Sequence, residues 1–96
     1  MKVQNMTSNK GNKIANQFIV TTDNEEYFQS YKSMIAKKVT NYFFNYTEKE
    51  TKVYLDETYW NYSVTTSKYR NIFLNETTKE TQKKIKQGVY ILTNLN

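Results

Sequence analysis

Ser63 and Lys68, five residues apart in "WNYSVTTSKYRNIF" (60–73), form the one pairing in this chain that could be cast as a nucleophile and its base. The adjacent carboxylates Asp56 and Glu57 are the next candidates for acid–base work. Neighbours on a strand point to opposite faces, so Asp56 and Glu57 cannot act on one substrate. Glu25 and Glu26 sit in a turn-like stretch. A helix-capping Ser and a solvated Lys account for Ser63 and Lys68 without any chemistry. The sequence has no His and no Cys, so the usual general base, the thiolate nucleophile and the commonest metal ligands are missing. No Gly-rich phosphate loop occurs. The expectation is a protein that is not an enzyme and carries no metal or cofactor.

What remains is binding chemistry. The 96 residues carry thirteen Lys and one Arg against nine acids, a net charge of +5. Such a balance favours acidic partners such as nucleic acid or an anionic protein face. The Lys are spread along the chain, where they also serve as ordinary solvated charge. Arg70 is the lone Arg, which argues against base reading by bidentate forks. Nine Tyr, five Phe and one Trp make 16% of the chain aromatic. Tyr suits both half-buried sheets and recognition surfaces, because it joins a large apolar body to a polar tip.

These residues need elements to position them. Residues 1–12 are polar and aperiodic and read as a flexible lead-in, leaving 13–96 as a single domain. "KIANQFIVTT" (13–22) reads as a strand with Ile14, Phe18 and Val20 on one side and Gln17, Ile19 and Thr21 on the other. "TDNEE" (22–26) reads as a turn. "YFQSYKSMIAKKV" (27–39) reads as one long strand, with Tyr27, Tyr31, Ile35 and Val39 sharing a face; a helix from Ser33 competes for the same residues. "NYFFNY" (41–46) and "TKVYLD" (51–56) form a hairpin through "TEKE", with Val53 and Leu55 inward.

Residues 64–74 have helical periodicity, with Thr65, Tyr69, Ile72 and Phe73 along one stripe and Ser63 or Thr65 as N-cap. A second helix follows. Thr77 and Glu80 match a capping box, Glu80 and Lys84 an i,i+4 pair, and Gly88 a left-handed C-terminal cap. "VYILT" (89–93) reads as a returning strand. The expected fold is α+β: an antiparallel sheet of about four to five strands, two C-terminal helices on one face, and a final strand back into the sheet.

Three stretches, "YFQSYKSMIA" (27–36), "KVYLDETYWNYSVTTSKYRNIFLNETTKETQKKI" (52–85) and "GVYILTNLN" (88–96), together resemble an uncharacterised family of small proteins. Its members are carried by phages, plasmids and integrated elements of low-GC Gram-positive bacteria. The resemblance spans residues 14–96 and is weakest over 41–50. It implies a genetic neighbourhood and no catalytic residue. Small accessory proteins of such elements often act by binding and blocking a host defence effector, a CRISPR nuclease or its guide complex among them.

The lead expectation is therefore an inhibitor of that kind, working in the bacterial cytoplasm. The N-terminus lacks the apolar run of a signal peptide, and no window approaches the ~20 apolar residues of a membrane span. The alternative is a single-strand or RNA-binding accessory protein, with bases stacking on Tyr and Lys following phosphates across an open sheet face. A third reading is a self-associating structural protein whose aromatic face is a homodimer interface. The candidate binding residues are Arg70 first, then Lys68 and Tyr62, with Tyr31, Lys32, Lys37, Lys38 and Tyr54 on the sheet.

Overall fold

The structure is a computed structural model and describes residues 1–43 and 48–96. The first half of the chain builds five strands in a row. These are β1 (Lys2–Thr7), β2 (Lys13–Thr21), β3 (Glu25–Ser30), β4 (Ser33–Phe43) and β5 (Glu48–Asp56). Each is antiparallel to the one before. Helices α1 (Val64–Leu74) and α2 (Thr78–Lys86) follow, and β6 (Tyr90–Thr93) then pairs with β5 in parallel. The sheet order is β1-β2-β3-β4-β5-β6. A parallel neighbour needs a crossover of a dozen or more residues, and the two helices are that crossover.

The fold class is α+β, as the sequence implies, but the sheet has six strands and is mixed. Residues 2–7, read from sequence as part of a lead-in, pair with β2. Their alternation is carried by Gln, Asn and Thr as much as by Val and Met, so hydropathy does not mark them. Only Met6 of this strand reaches the core.

The stretch 27–39 is two strands, β3 and β4, joined at Tyr31 and Lys32. Tyr31 takes φ 57°, a left-handed conformation that a bulky residue seldom adopts. That is why nothing in "SYKS" signals a turn. Residues 33–43 are strand, not helix. In β2, Asn16 at φ 64° breaks the alternation, and the β1–β2 register shifts between Asn5 and Thr7. Ile14 thereby joins Ile19 against the core rather than sharing a side with Phe18 and Val20. The β4–β5 hairpin is present, with Glu48–Glu50 inside β5; residues 44–47 of the connection lie outside the described residues.

Register resolves the sheet into rows. Ile19, Phe28, Ala36, Leu55 and Leu92 lie directly across from one another on β2 to β6, on the helix-covered face. Phe28, Ala36 and Leu55 have no exposure at all, and Phe28 meets Phe73 of α1 at 5.9 Å between ring centres.

Ser63 caps α1 by accepting from Thr66 N. The α1 stripe is rotated from the expected one: Thr66, Arg70, Phe73 and Leu74 are buried, while Thr65 is exposed and Ile72 is 58% exposed. Arg70 displaces the apolar set because the guanidinium finds partners inside. The Thr77–Glu80 capping box opens α2. Gly88 at φ 74° closes it, with Gly88 N bonded to Ile85 O and Val89 N to Lys84 O. Lys84 pairs with Glu76 and not with Glu80, whose carboxylate is taken by the cap.

Candidate functional site

Across the uncovered face runs a second row: Val3, Val20, Tyr27, Lys37, Tyr54 and Ile91, one residue from each strand. Lys37 is at its middle. Its Nζ lies 5.7 Å from the Tyr27 ring centre and 5.1 Å from that of Tyr54. It also sits 3.5 Å from Glu25 Oε2. The Tyr27 hydroxyl donates to the same carboxylate oxygen at 3.3 Å. Burial raises the Tyr27 pKa, Lys37 opposes that shift, and Glu25 adds to it. The row is thus aromatic–cation–aromatic, with the cation balanced by an acid and with exposed Val3 and Ile91 at its ends.

Sequence reasoning named Lys37 and Tyr54 for this face but missed Tyr27 and Glu25. Their convergence depends on the turn at Tyr31, which brings residue 27 opposite residue 37. The one-strand reading of 27–39 hides it.

Lys38 lies on the other face. Its Nζ donates to Phe73 O at 2.6 Å and stands 4.2 Å from the Phe73 ring centre, with Glu26 at 3.7 Å. It ties the C-terminal end of α1 to the sheet and is not part of an open-face cation array.

Tyr31, Lys32 and Tyr62 come together elsewhere. They line a cleft of about 590 Å³ between the β3–β4 turn and the chain entering α1, with Tyr59, Asn16, Ser30, Ser33, Ile35 and Thr66 as its other walls. Tyr31 and Tyr62 are 56% and 69% exposed. Tyr59 packs edge-on against Tyr62 at 5.5 Å. Ser30 Oγ and Thr66 Oγ1, both buried, bond at 3.2 Å in the cleft wall.

Arg70, the first choice from sequence, does not face solvent. It is 0% exposed. Its guanidinium donates to Trp60 O, to Asn61 Oδ1 at 3.2 Å, to Asn71 Oδ1 at 2.9 Å and to Thr78 Oγ1 at 2.7 Å. It also lies 5.2 Å from the Trp60 ring centre. Burial lowers its pKa and the charge of Glu76 opposes that. Arg70 therefore joins the 57–63 loop, α1 and the start of α2. Lys68 is exposed on α1 beside Tyr69, 5.3 Å from its ring centre, away from both the row and the cleft.

Two buried carboxylates hold the frame. Asp56 accepts from Thr58 N, Tyr59 N and Leu95 N at 2.8–3.1 Å. Burial pushes its pKa up, but these amides and the Asn96 side chain together outweigh that and hold it below the usual range. Glu76 accepts from Thr81 Oγ1 at 2.7 Å, Lys84 Nζ at 2.9 Å and the Tyr90 hydroxyl. Here too burial is the largest single influence and is upward, yet the three donors leave the pKa lowered. Among the described residues no His, Cys, Asp or Glu cluster could hold a metal ion, and no helix is long and apolar enough to cross a membrane.

Fold and surface together define a small α+β protein with a six-stranded mixed sheet covered by helices on one face and patterned with aromatics on the other. A family model matches residues 1–88, and the chain belongs to that family, DUF8033, a family of unknown function. Neither the curated proteins nor the solved structures contain a match.

Proposed function

We propose that this chain is a non-enzymatic protein of a mobile genetic element that acts by binding a host protein. In the setting that the resemblance implies, that partner is a defence effector of the CRISPR type. The surface we assign to the contact is the uncovered sheet face. The observation that carries the reading is the Tyr27–Lys37–Tyr54 row with Glu25 on its cation. Single-strand binding draws on cations free to meet phosphates. Here the central Lys is already paired, and the row ends in exposed Val3 and Ile91, with Val20 buried beneath it. A mixed aromatic and aliphatic row with an ion pair at its centre resembles the anchor region of a protein interface more than a phosphate track.

The test is capture by tagged protein from host lysate, with and without nuclease, for wild type and for the double variant Lys37→Glu, Tyr54→Ala. A stoichiometric protein retained after nuclease by wild type and lost by the variant supports the reading. Recovery of nucleic acid alone sinks it. An elution volume that shifts with concentration, and does so only in wild type, replaces the host partner with a second copy of this chain.

A further inference from the structure

The cleft behind the β3–β4 turn is separate from the sheet row, and its lining has an uneven chemistry. Three Tyr rings border it, Ile35 gives an apolar patch, and Ser33 and Asn16 bring polar ends. Among the described residues that line it, Lys32 is the only charged one and none is a carboxylate. Among the described residues, Lys32 forms no ion pair, in contrast to Lys37, Lys38 and Lys84. The volume of about 590 Å³ is within the ordinary range for small-molecule sites.

The turn that presents these groups is strained and held. Tyr31 keeps φ 57° while its N–H donates to Asn16 O at 2.7 Å and its carbonyl accepts from Gln29 Nε2 at 2.7 Å. A non-Gly residue in this region is strained and persists where the surroundings over-determine it. Gly would take this position without that strain. The chain instead places an aromatic ring here, 56% exposed and directly beside an unpaired Lys. Gln17 lies across the ladder from Ser30 of the cleft wall. It is 1% exposed with neither amide atom bonded, a donor and an acceptor left unused beside the site.

We propose that this cleft binds a nucleotide: a base stacked against the exposed Tyr31 and Tyr62 rings, with its phosphate on Lys32. Aromatic walls with a single cation and no acid complement a planar, anionic ligand, and stacking is tolerant of base identity. The chemistry is shared by a free mononucleotide and by one residue of a single strand. The assignment stands independently of the protein-binding role given to the sheet face.

The test is an NMR titration of the full chain with 5′-UMP, uridine and a uridine decamer. The expected result is saturable shifts at residues 30–33, 59–62 and 66 with UMP, and weaker binding of uridine. Tyr31→Asn keeps a residue type that tolerates the left-handed conformation, so it preserves the turn while removing the ring. It should weaken UMP binding about tenfold. Lys32→Gln should remove the preference for UMP over uridine. A decamer bound more tightly than UMP identifies a strand as the source of the base; equal affinity identifies the free nucleotide. Shifts that do not saturate, that centre on Tyr27, Lys37 and Tyr54, or that survive unchanged in both variants overturn the proposal.

Discussion

Arg70 donates to the backbone carbonyl of Trp60 while its guanidinium lies against the Trp60 ring, with no part of the Arg exposed to solvent. A cation buried without an ion pair of its own is costly unless hydrogen bonds replace its water. Trp60, Asn61, Asn71 and Thr78 supply them for the two terminal nitrogens, while Nε has no partner among the described residues. The planar fork spans the partners from three segments at once, which an ammonium cannot do. Arg70→Lys should therefore cost about 3 kcal/mol of stability, with the urea midpoint lowered and the slope unchanged.

The Glu76 cluster sets the pH dependence. Glu76 and Asp56 have folded pKa values lowered from their unfolded ones. Their contribution is fully present above about pH 4, the unfolded carboxyl value, and is lost as pH falls through the folded values. Lys84 is raised, chiefly by its bond to Glu76, and Tyr90 is raised by burial first and then by Glu76. Those contributions are present below about pH 10 and are lost as pH rises through the folded values. Glu76→Gln should flatten both limbs of a stability–pH curve measured by urea melts. At neutral pH it should cost about 2 kcal/mol, since it replaces a charge-assisted acceptor of three bonds.

Tyr31 offers a stability gain, set against the nucleotide site proposed for its ring. Tyr31→Gly should stabilise the fold by about 1 kcal/mol, because Gly adopts φ 57° without steric cost. Thermal melts of wild type, Tyr31→Gly and Tyr31→Asn would show it. A loss of stability in both variants would mean that the ring packs for the fold and not for a ligand.

The two rows of the sheet should respond differently to truncation. Phe28 has no exposure and contacts Phe73, so Phe28→Ala should cost about 3–5 kcal/mol. Lys37→Gln, which breaks a partly exposed ion pair, should cost under about 1 kcal/mol. Parallel urea titrations would separate the row that builds the core from the row on the uncovered face.

Much of the local structure was legible. Ser63 before a helical stripe, the Thr77–Glu80 pairing and Gly88 after a run of Lys each mark a helix end through bonds made within a few residues. Val53 and Leu55 facing inward follows from alternation alone. The parallel docking of β6 was not legible, since a four-residue strand carries no sign of its direction. Strand β1 was missed because its pattern is polar, and its place comes from pairing with β2.

Of the candidate site, the sequence by itself determined the inventory: abundant Tyr and Lys, one Arg, and no His or Cys. It could not sort that inventory. Arg70 became a buried tie and Lys38 a helix anchor, while Lys37 lies between two Tyr on the open face and Lys32 stands unpaired at a cleft. That sorting rests on one left-handed residue, Tyr31, and on register. Residue types and caps act over three or four positions and can be read along the chain. Which face a Lys occupies depends on a turn whose conformation its residues do not favour, held by Asn16 and Gln29 from outside the turn, and only the tertiary structure decides that.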